Sequence, residues 1–362
     1  MSPGPVAAAL ALALIACRTA GTPPPSGAAG VPPWEAESPL RPLAPPPPGV
    51  PFDLARAHGV KVTPEKVRLG RWLFFDARLS RDGTVSCATC HDPRHAFSER
   101  EPRSTGIEGK QGTRKASPIV NVAFPLYDVW FWDGRATSLA EQARGPLTHP
   151  AEMGNTLDGV VRTVAGVAGY RRAFLQAYGD DRLDIDRVAD ALAAYEATRR
   201  SGGSAYDRYG AGDDAALSEE ARQGMDIFFG RGRCNSCHAG PNFTDSRFHN
   251  VGIGFQPGED LVRLGFRDAG RYAVTGHPPD AGAFKTPSLR EVARHPPYMH
   301  DGSSPDLRDA VLRYLDVGEN PWLDPAMREV RISPLDVRPL VAFLEALDGT
   351  GFEDDPPRSF PR

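Results

Sequence analysis

The chain has 362 residues, a formal net charge of −4 and a pI of about 6.2, and 24% of its residues are charged. The length suits two ordinary domains with flanking segments. Nothing in this balance points to nucleic acid as a partner, for which a basic face would be expected.

The first segment, residues 1–17, is expected to be an export signal. Val6 to Ala16 is an unbroken apolar run, too short to span a bilayer. It ends Leu14-Ile15-Ala16-Cys17, which resembles a bacterial lipobox with Cys17 as the lipidated residue. No Lys or Arg precedes the run, so an ordinary cleaved signal stays open. Either way the protein is expected to be exported to the periplasm, with a lipid anchor through Cys17 in the first case. Residues 18–50 carry Pro23-Pro24-Pro25 and Pro45 through Pro48. Such a run favours extended polyproline conformation and predicts a tether that needs no core. No transmembrane candidate follows it.

Thr63-Pro64 predicts a helix start, a cap followed by Pro at the first position. This helix carries Leu69, Trp72 and Leu73 on one face. Ser218-Glu219-Glu220 starts a second one, through Met225 and Ile227. Both contain Gly-x-x-x-Phe-Phe: Gly70 with Phe74 and Phe75, and Gly224 with Phe228 and Phe229. This is an internal repeat. Each copy precedes a C-x-x-C-H sequence, Cys87-Ala-Thr-Cys90-His91 and Cys234-Asn-Ser-Cys237-His238. Each is followed at a distance by an apolar helix. The first, Asp186 to Arg199, has Val188, Leu192 and Tyr195 at helical spacing. The other opens at Ser333-Pro334 and carries Leu340, Val341, Phe343, Leu344 and Leu347; Pro339 predicts a later start or a kink.

Two cysteines separated by two residues form thioethers to the two vinyl groups of one haem, and the next histidine falls under the iron. The competing metal is zinc, bound by four thiolates. Zinc ribbons separate their pairs by roughly 15–20 residues, whereas about 140 lie between Cys90 and Cys234. Zinc also gives no reason for a histidine after both pairs. Two covalently bound haem c groups are therefore expected, with His91 and His238 as proximal ligands. Four of the five cysteines are thereby used and Cys17 is the fifth, so none is left for a structural disulfide. With strand-like alternation scarce, the expected fold is all-α, with two cytochrome c-like haem domains in tandem. They cover 51–210 and 211–350, join near 202–216, and leave a tail at 351–362.

The second ligands decide the chemistry, because iron with an open position can bind peroxide and iron with two strong ligands moves electrons. His95 lies only four residues after His91 and reads as a surface loop residue. From Ala96 to Thr148 there is no histidine or methionine. The first haem is therefore expected to be open or water-bound.

Two further stretches carry specific motifs. One is Phe131-Trp132-Asp133-Gly134-Arg135-Ala136, continuing through Ser138-Leu139, Glu141-Gln142, Gly145-Pro146-Leu147 and Pro150-Ala151-Glu152-Met153. The other is Phe284-Lys285-Thr286-Pro287-Ser288-Leu289-Arg290, followed by Pro297-Tyr298-Met299-His300-Asp301-Gly302-Ser303. With the two C-x-x-C-H sequences, they resemble the bacterial di-haem cytochrome c peroxidase family, which includes the MauG-like enzymes. The resemblance covers about 54–349.

The resemblance implies that Trp132 lies between the haems and relays electrons. It implies that Gln142 and Glu152 sit over the open haem, where a carboxylate can take a proton from one peroxide oxygen and return one to the other. Read without it, Gln142 is a surface helix residue and Glu152 a helix-start carboxylate. The distal ligand of the second haem falls at Tyr314, as in MauG-like members, where peroxidases fed by small electron donors have methionine. A hard phenolate stabilises oxidised iron. The alternative is a core tyrosine, with Met299 as the ligand. The family also often holds Ca²⁺ between its domains. The carbonyl ligands match His295 and Pro297, but the asparagine position is Lys115, which cannot ligate Ca²⁺. The calcium site is therefore doubtful: Lys115 replaces the cation, or Asn121 serves instead.

Three functions follow for testing. One is reduction of hydrogen peroxide at the first haem, with electrons from a small cytochrome c or cupredoxin entering through the second. Another is MauG-like oxidation of residues in a partner protein. The third is a tethered electron carrier without catalysis.

Overall fold

The computed structural model describes residues 31–54, 59–256 and 264–362, with Met1 and Gly4. Cys17 and the apolar run before it lie outside the described residues. Helices and short helical turns dominate. Among the described residues the only named strands are the two-residue pair Phe248–His249 and Phe284–Lys285, antiparallel.

The repeated Gly-x-x-x-Phe-Phe marks two equivalent helix crossings. In the first, Thr63 accepts a hydrogen bond from the Lys66 N–H at 3.3 Å and Pro64 opens the helix Pro64–Phe75. This helix crosses Ile185–Ala197 so closely that a Cβ on Gly70 would lie 1.9 Å from the Ala191 carbonyl oxygen and 2.8 Å from the Tyr195 Cβ. In the second, Ser218 accepts from the Ala221 N–H at 3.1 Å and starts Glu219–Phe229, which crosses Val337–Glu345. A Cβ on Gly224 would lie 1.9 Å from the Pro339 carbonyl oxygen and 2.8 Å from the Phe343 Cβ. The aromatic following each glycine fills the crossing: Phe74 meets Tyr195 and Phe228 meets Phe343, both at 5.1 Å between ring centroids.

Pro339 produces a later start. Pro334–Asp336 is a single 3₁₀ turn, and the helix proper begins at Val337. Pro339 then sits in the first turn, where no intrahelical acceptor awaits its missing N–H. The core of the first half gathers Leu69, Trp72, Phe97, Val160, Phe174 and Leu192. That of the second gathers Phe228, Phe243, Leu307, Val311, Leu340 and Phe343.

The expectation of a tether without a core does not hold for residues 31–50. Pro33–Ala36 is a helical turn that buries Trp34 edge-on against Trp72, with ring centroids 5.1 Å apart. The buried Glu35 accepts from Arg172 at 3.0 Å and from Gln176 at 2.8 Å. Val50, Phe52 and Leu54 are buried in an apolar cluster with Phe124 and Trp130. Proline nitrogens donate nothing, and the one hydrogen bond inside the Pro45–Val50 run joins the Val50 N–H to the Pro47 carbonyl at 3.2 Å, so the Ala44 and Pro45 carbonyls are left to accept from elsewhere. Arg200 uses them, donating to Ala44 at 2.5 Å and to Pro45 at 3.1 Å.

The expected tail and junction are also packed. Phe352 is buried in the core of the first half. Asp354 accepts from Arg71 at 2.9 Å and from the Tyr195 hydroxyl at 2.9 Å. In the junction, Gly202 pairs with Thr350, and Ala205–Gly210 is a helix capped by Ser204 and Asp207. The Asp207 carboxylate is buried in a bidentate pair with Arg290 at 2.6 and 2.8 Å. Among the described residues, no helix is long and apolar enough to cross a membrane.

Candidate functional site

Both C-x-x-C-H histidines are held the same way. Cys87–Cys90 forms one helical turn and Cys234–Ser236 one 3₁₀ turn. His91 Nδ1 donates to the Phe97 carbonyl at 3.2 Å, and His238 Nδ1 to the Phe243 carbonyl at 3.1 Å. A carbonyl only accepts, so Nδ1 carries the proton and Nε2 keeps its lone pair for a metal. Phe97 and Phe243 both adopt left-handed backbone, at φ 54° and 50°. That conformation is uncommon for a bulky residue, and here it falls at both carbonyls the histidines use. Burial lowers His91 to about 4 and lowers His238 as well, so both rings are neutral at pH 7, the form that can ligate a metal. Burial also pushes the Cys90 and Cys234 thiols up to about 12 and raises Cys87. That disfavours the thiolates a reactive dithiol requires.

The second motif opens onto an apolar cavity of about 220 Å³, lined by Cys234, Cys237, His238, Leu307 and Val311. A free imidazole nitrogen, two cysteine sulfurs and an apolar wall fit a haem. Both proposed distal ligands line this cavity. Tyr314 lies on the 3₁₀ turn Arg313–Leu315. Its hydroxyl is raised by burial and then by Cys234 and Cys237, which sets it near both cysteines. Met299 adopts φ 72°. His249, also on the wall, escaped the sequence reading. Its Nδ1 donates to Asp324 at 2.6 Å and its Nε2 to Asp245 at 2.9 Å. Two donating nitrogens make it an imidazolium, raised to about 11 chiefly by Asp245. Asp324 is distant in sequence, so nothing local announces the pair.

At the first motif, Glu152 lies in the turn after the helix Leu139–Thr148, its carboxylate 3.4 Å from His149 Nδ1. It is close enough to Cys87 and Cys90 to raise both thiols. Burial raises Glu152 itself, with His149 and Arg135 opposing. Gln142 is half-buried on the same helix, ten residues earlier. His149 was missed, although its position three residues before Glu152 is the visible signal. Glu196 was missed too. It is buried on Ile185–Ala197 near Cys87, burial alone raises it to about 8, and its Oε2 has no hydrogen-bond partner among the described residues. His95 lies on the short 3₁₀ turn Pro93–His95, half-buried and 3.5 Å from Asp92.

Trp132 lies on the wall of the second-motif cavity. Its indole N–H donates to the Lys115 carbonyl at 2.8 Å, and its own carbonyl accepts from the Lys285 N–H at 2.8 Å. It lines both the second-motif cavity and a smaller one of about 50 Å³ with Pro118, Tyr127 and Lys285. His300 meets it edge-on at 6.4 Å and stacks on Phe284 at 3.5 Å. Lys285 sits 4.1 Å from the Tyr127 ring centre, and burial lowers it to about 7. Lys115, His295 and Pro297 line the same cavity. Asn121, the alternative calcium ligand, is buried and turned to the Ser201 backbone. Its side chain is consumed by Ser201, donating to the carbonyl at 3.1 Å and accepting from the N–H at 2.9 Å.

Known proteins share this chain's sequence and fold. Residues 64–215 match the family model described as di-haem cytochrome c peroxidase. The methylamine utilization protein MauG of Methylorubrum extorquens is 40% identical over 288 residues, 79% of each chain. The chain belongs to the di-haem cytochrome c peroxidase family. The cytochrome c551 peroxidase of Pseudomonas aeruginosa is 34% identical over 302 residues, 83% of each chain. Among solved structures, a MauG-like protein associated with microbial copper homeostasis superposes with a TM-score of 0.73 at 28% identity, covering 89% of this chain and 98% of that one. The diheme peroxidase BthA from Burkholderia thailandensis gives 0.66 at 26% identity, covering 86% and 93%. Membership makes the chain an oxidoreductase of the peroxidase class and sets aside the reading as a carrier without catalysis.

Proposed function

We propose that the chain holds two covalently bound haems in tandem domains and reduces hydrogen peroxide at the one attached to Cys87 and Cys90. Electrons come from a small cytochrome c or cupredoxin through the haem at Cys234 and Cys237, by way of Trp132. When bound, a haem supplies an iron that exchanges single electrons and, where a coordination position is open, binds peroxide. Periplasmic placement suits such a donor, and a lipid anchor through Cys17 belongs to the same proposal.

The observation that carries this reading is the difference between two otherwise matched motifs. The first gathers carboxylates around its cysteine pair, and the second gathers Tyr314 and Met299. Glu152 is raised by burial and keeps His149 beside it. A carboxylate so placed accepts the peroxide proton and returns it to the departing oxygen, while Gln142 holds the oxygen atoms in line. Tyr314 is proposed as the distal ligand of the second haem, supported by its nearness to both cysteines. A MauG-like role, oxidising residues of a partner protein, is favoured by that tyrosine and by the 40% identity to a MauG.

The test is addition of hydrogen peroxide to the ferric holoprotein while the visible spectrum is recorded. A response at the first haem and rapid turnover with reduced cytochrome c are expected. A long-lived oxidised spectrum with slow turnover would assign the MauG-like role. No spectral response at either haem would refute both.

A further inference from the structure

The family's calcium site does not fit this chain at Lys115. An ammonium has three donors and no acceptor, so it cannot ligate a divalent cation and repels one nearby. Lys115 is not a surface side chain that could swing aside. The residue is buried, its N–H donates to the His300 carbonyl at 2.9 Å, and its carbonyl holds the Trp132 indole. Its Nζ donates to the Glu99 carbonyl. Burial lowers it to about 8, with Glu99 and Glu101 opposing, so the ammonium stays charged at pH 7. The Glu99 carboxylate is already engaged by the Ser104 hydroxyl at 2.7 Å and the Ala116 N–H at 2.5 Å.

The second observation is His295. It is buried, and neither ring nitrogen has a hydrogen-bond partner among the described residues. Lys115 is close enough to act on the ring electrostatically. A neutral imidazole has one N–H to give, and leaving it unmet in an apolar interior is costly. Both residues line the cavity that contains Cys234, Cys237 and His238. A cation and an unmet donor on one wall form an anion receptor. The anion a haem brings is a propionate carboxylate.

We propose that Lys115 is a built-in cation standing in place of a divalent metal between the two haem motifs. With His295, it receives a propionate of the second haem. This rests on the haem reading above. Here the positive charge is covalent, so chelators cannot remove it, and its carbonyl ties it to Trp132.

The test uses the holoprotein with calcium alone as the probe, followed by calorimetry and by metal analysis after dialysis. The wild type is expected to take up no calcium and to keep its spectrum in a chelator, whereas Lys115→Asn gains a calcium-binding site. Lys115→Met, which removes the charge and adds no ligand, is expected to bind none. It should also shift the ferric/ferrous ratio of the second haem about tenfold towards ferric at fixed potential, or 59 mV for one electron. Lys115→Arg is expected to restore the ratio. Stoichiometric calcium in the wild type, or an unchanged ratio in Lys115→Met, would overturn the proposal. The wild-type measurement needs no variant to fold. Absence of haem from the wild type would instead sink the underlying reading.

Discussion

Glu152→Gln is the decisive substitution. The change keeps the side chain's shape and removes its capacity to take a proton. A positioned acid or base contributes roughly 10²–10⁴-fold. Two features place Glu152 in the lower part of that range. Its side chain is 32% exposed, so water reaches it, and His149 lies 3.4 Å away as a partial substitute. The expected loss is about 10²–10³-fold, or about 2.7–4 kcal/mol at 1.36 kcal/mol per tenfold. The assay is the stopped-flow rate of peroxide reaction with the ferric holoprotein, across pH. Burial raises Glu152 above the ordinary carboxylate range. The base form is therefore lost as pH falls through that raised value, and the wild-type rate should decline on the acid side. The glutamine variant should be slow throughout and lack that limb. A variant within threefold of wild type, with the acid limb intact and both haems attached, would remove Glu152 from the role.

Other substitutions probe the frame. Gly224→Ala forces a methyl group against the Pro339 carbonyl, which cannot rotate away. Overpacking costs of about 1–3 kcal/mol exceed the gain of about 1 kcal/mol in helix propensity, so urea titration followed by circular dichroism should show lower stability. Gly70→Ala should behave alike, and an equal or higher midpoint in either would contradict the close crossing. Trp34→Ala deletes an aromatic of the kind whose full burial is worth about 3–5 kcal/mol. Because residues 31–54 form a strap on the surface, the expected readout is faster hydrogen exchange and proteolysis confined there, and unchanged protection would refute the docking. Tyr314→Phe should change the second haem's spectrum while Met299→Leu leaves it alone; the reverse pattern assigns the ligand to Met299.

The helical fold was legible because its signals are local. Thr63-Pro64 and Ser218 cap helices where expected, and the repeated glycines sit at crossings whose partners, Ala191 and Pro339, lie about 115–120 residues away. The docked segments were not legible, because proline content reports backbone conformation and says nothing about Arg200 waiting for carbonyls. Composition likewise hid the burial of Trp34 and Phe352, each a lone apolar residue in a polar or proline-rich run. At the candidate site, the family resemblance pointed to Glu152 and Trp132. It could not reveal His249 between two carboxylates or the bare carboxylate oxygen of Glu196, since those depend on chain segments meeting in space.

The return of residues 352–354 to the first half has a consequence for biosynthesis. Phe352 completes a core whose other side chains begin at Trp34, and Asp354 ties Arg71 to Tyr195. Domains ordinarily fold in order as they leave the ribosome, but this one awaits a side chain made after the whole second half. Cys87 and Cys90 therefore lie in a half whose core is complete only when Phe352 and Asp354 are in place. The half that begins the chain is closed by residues from its far end.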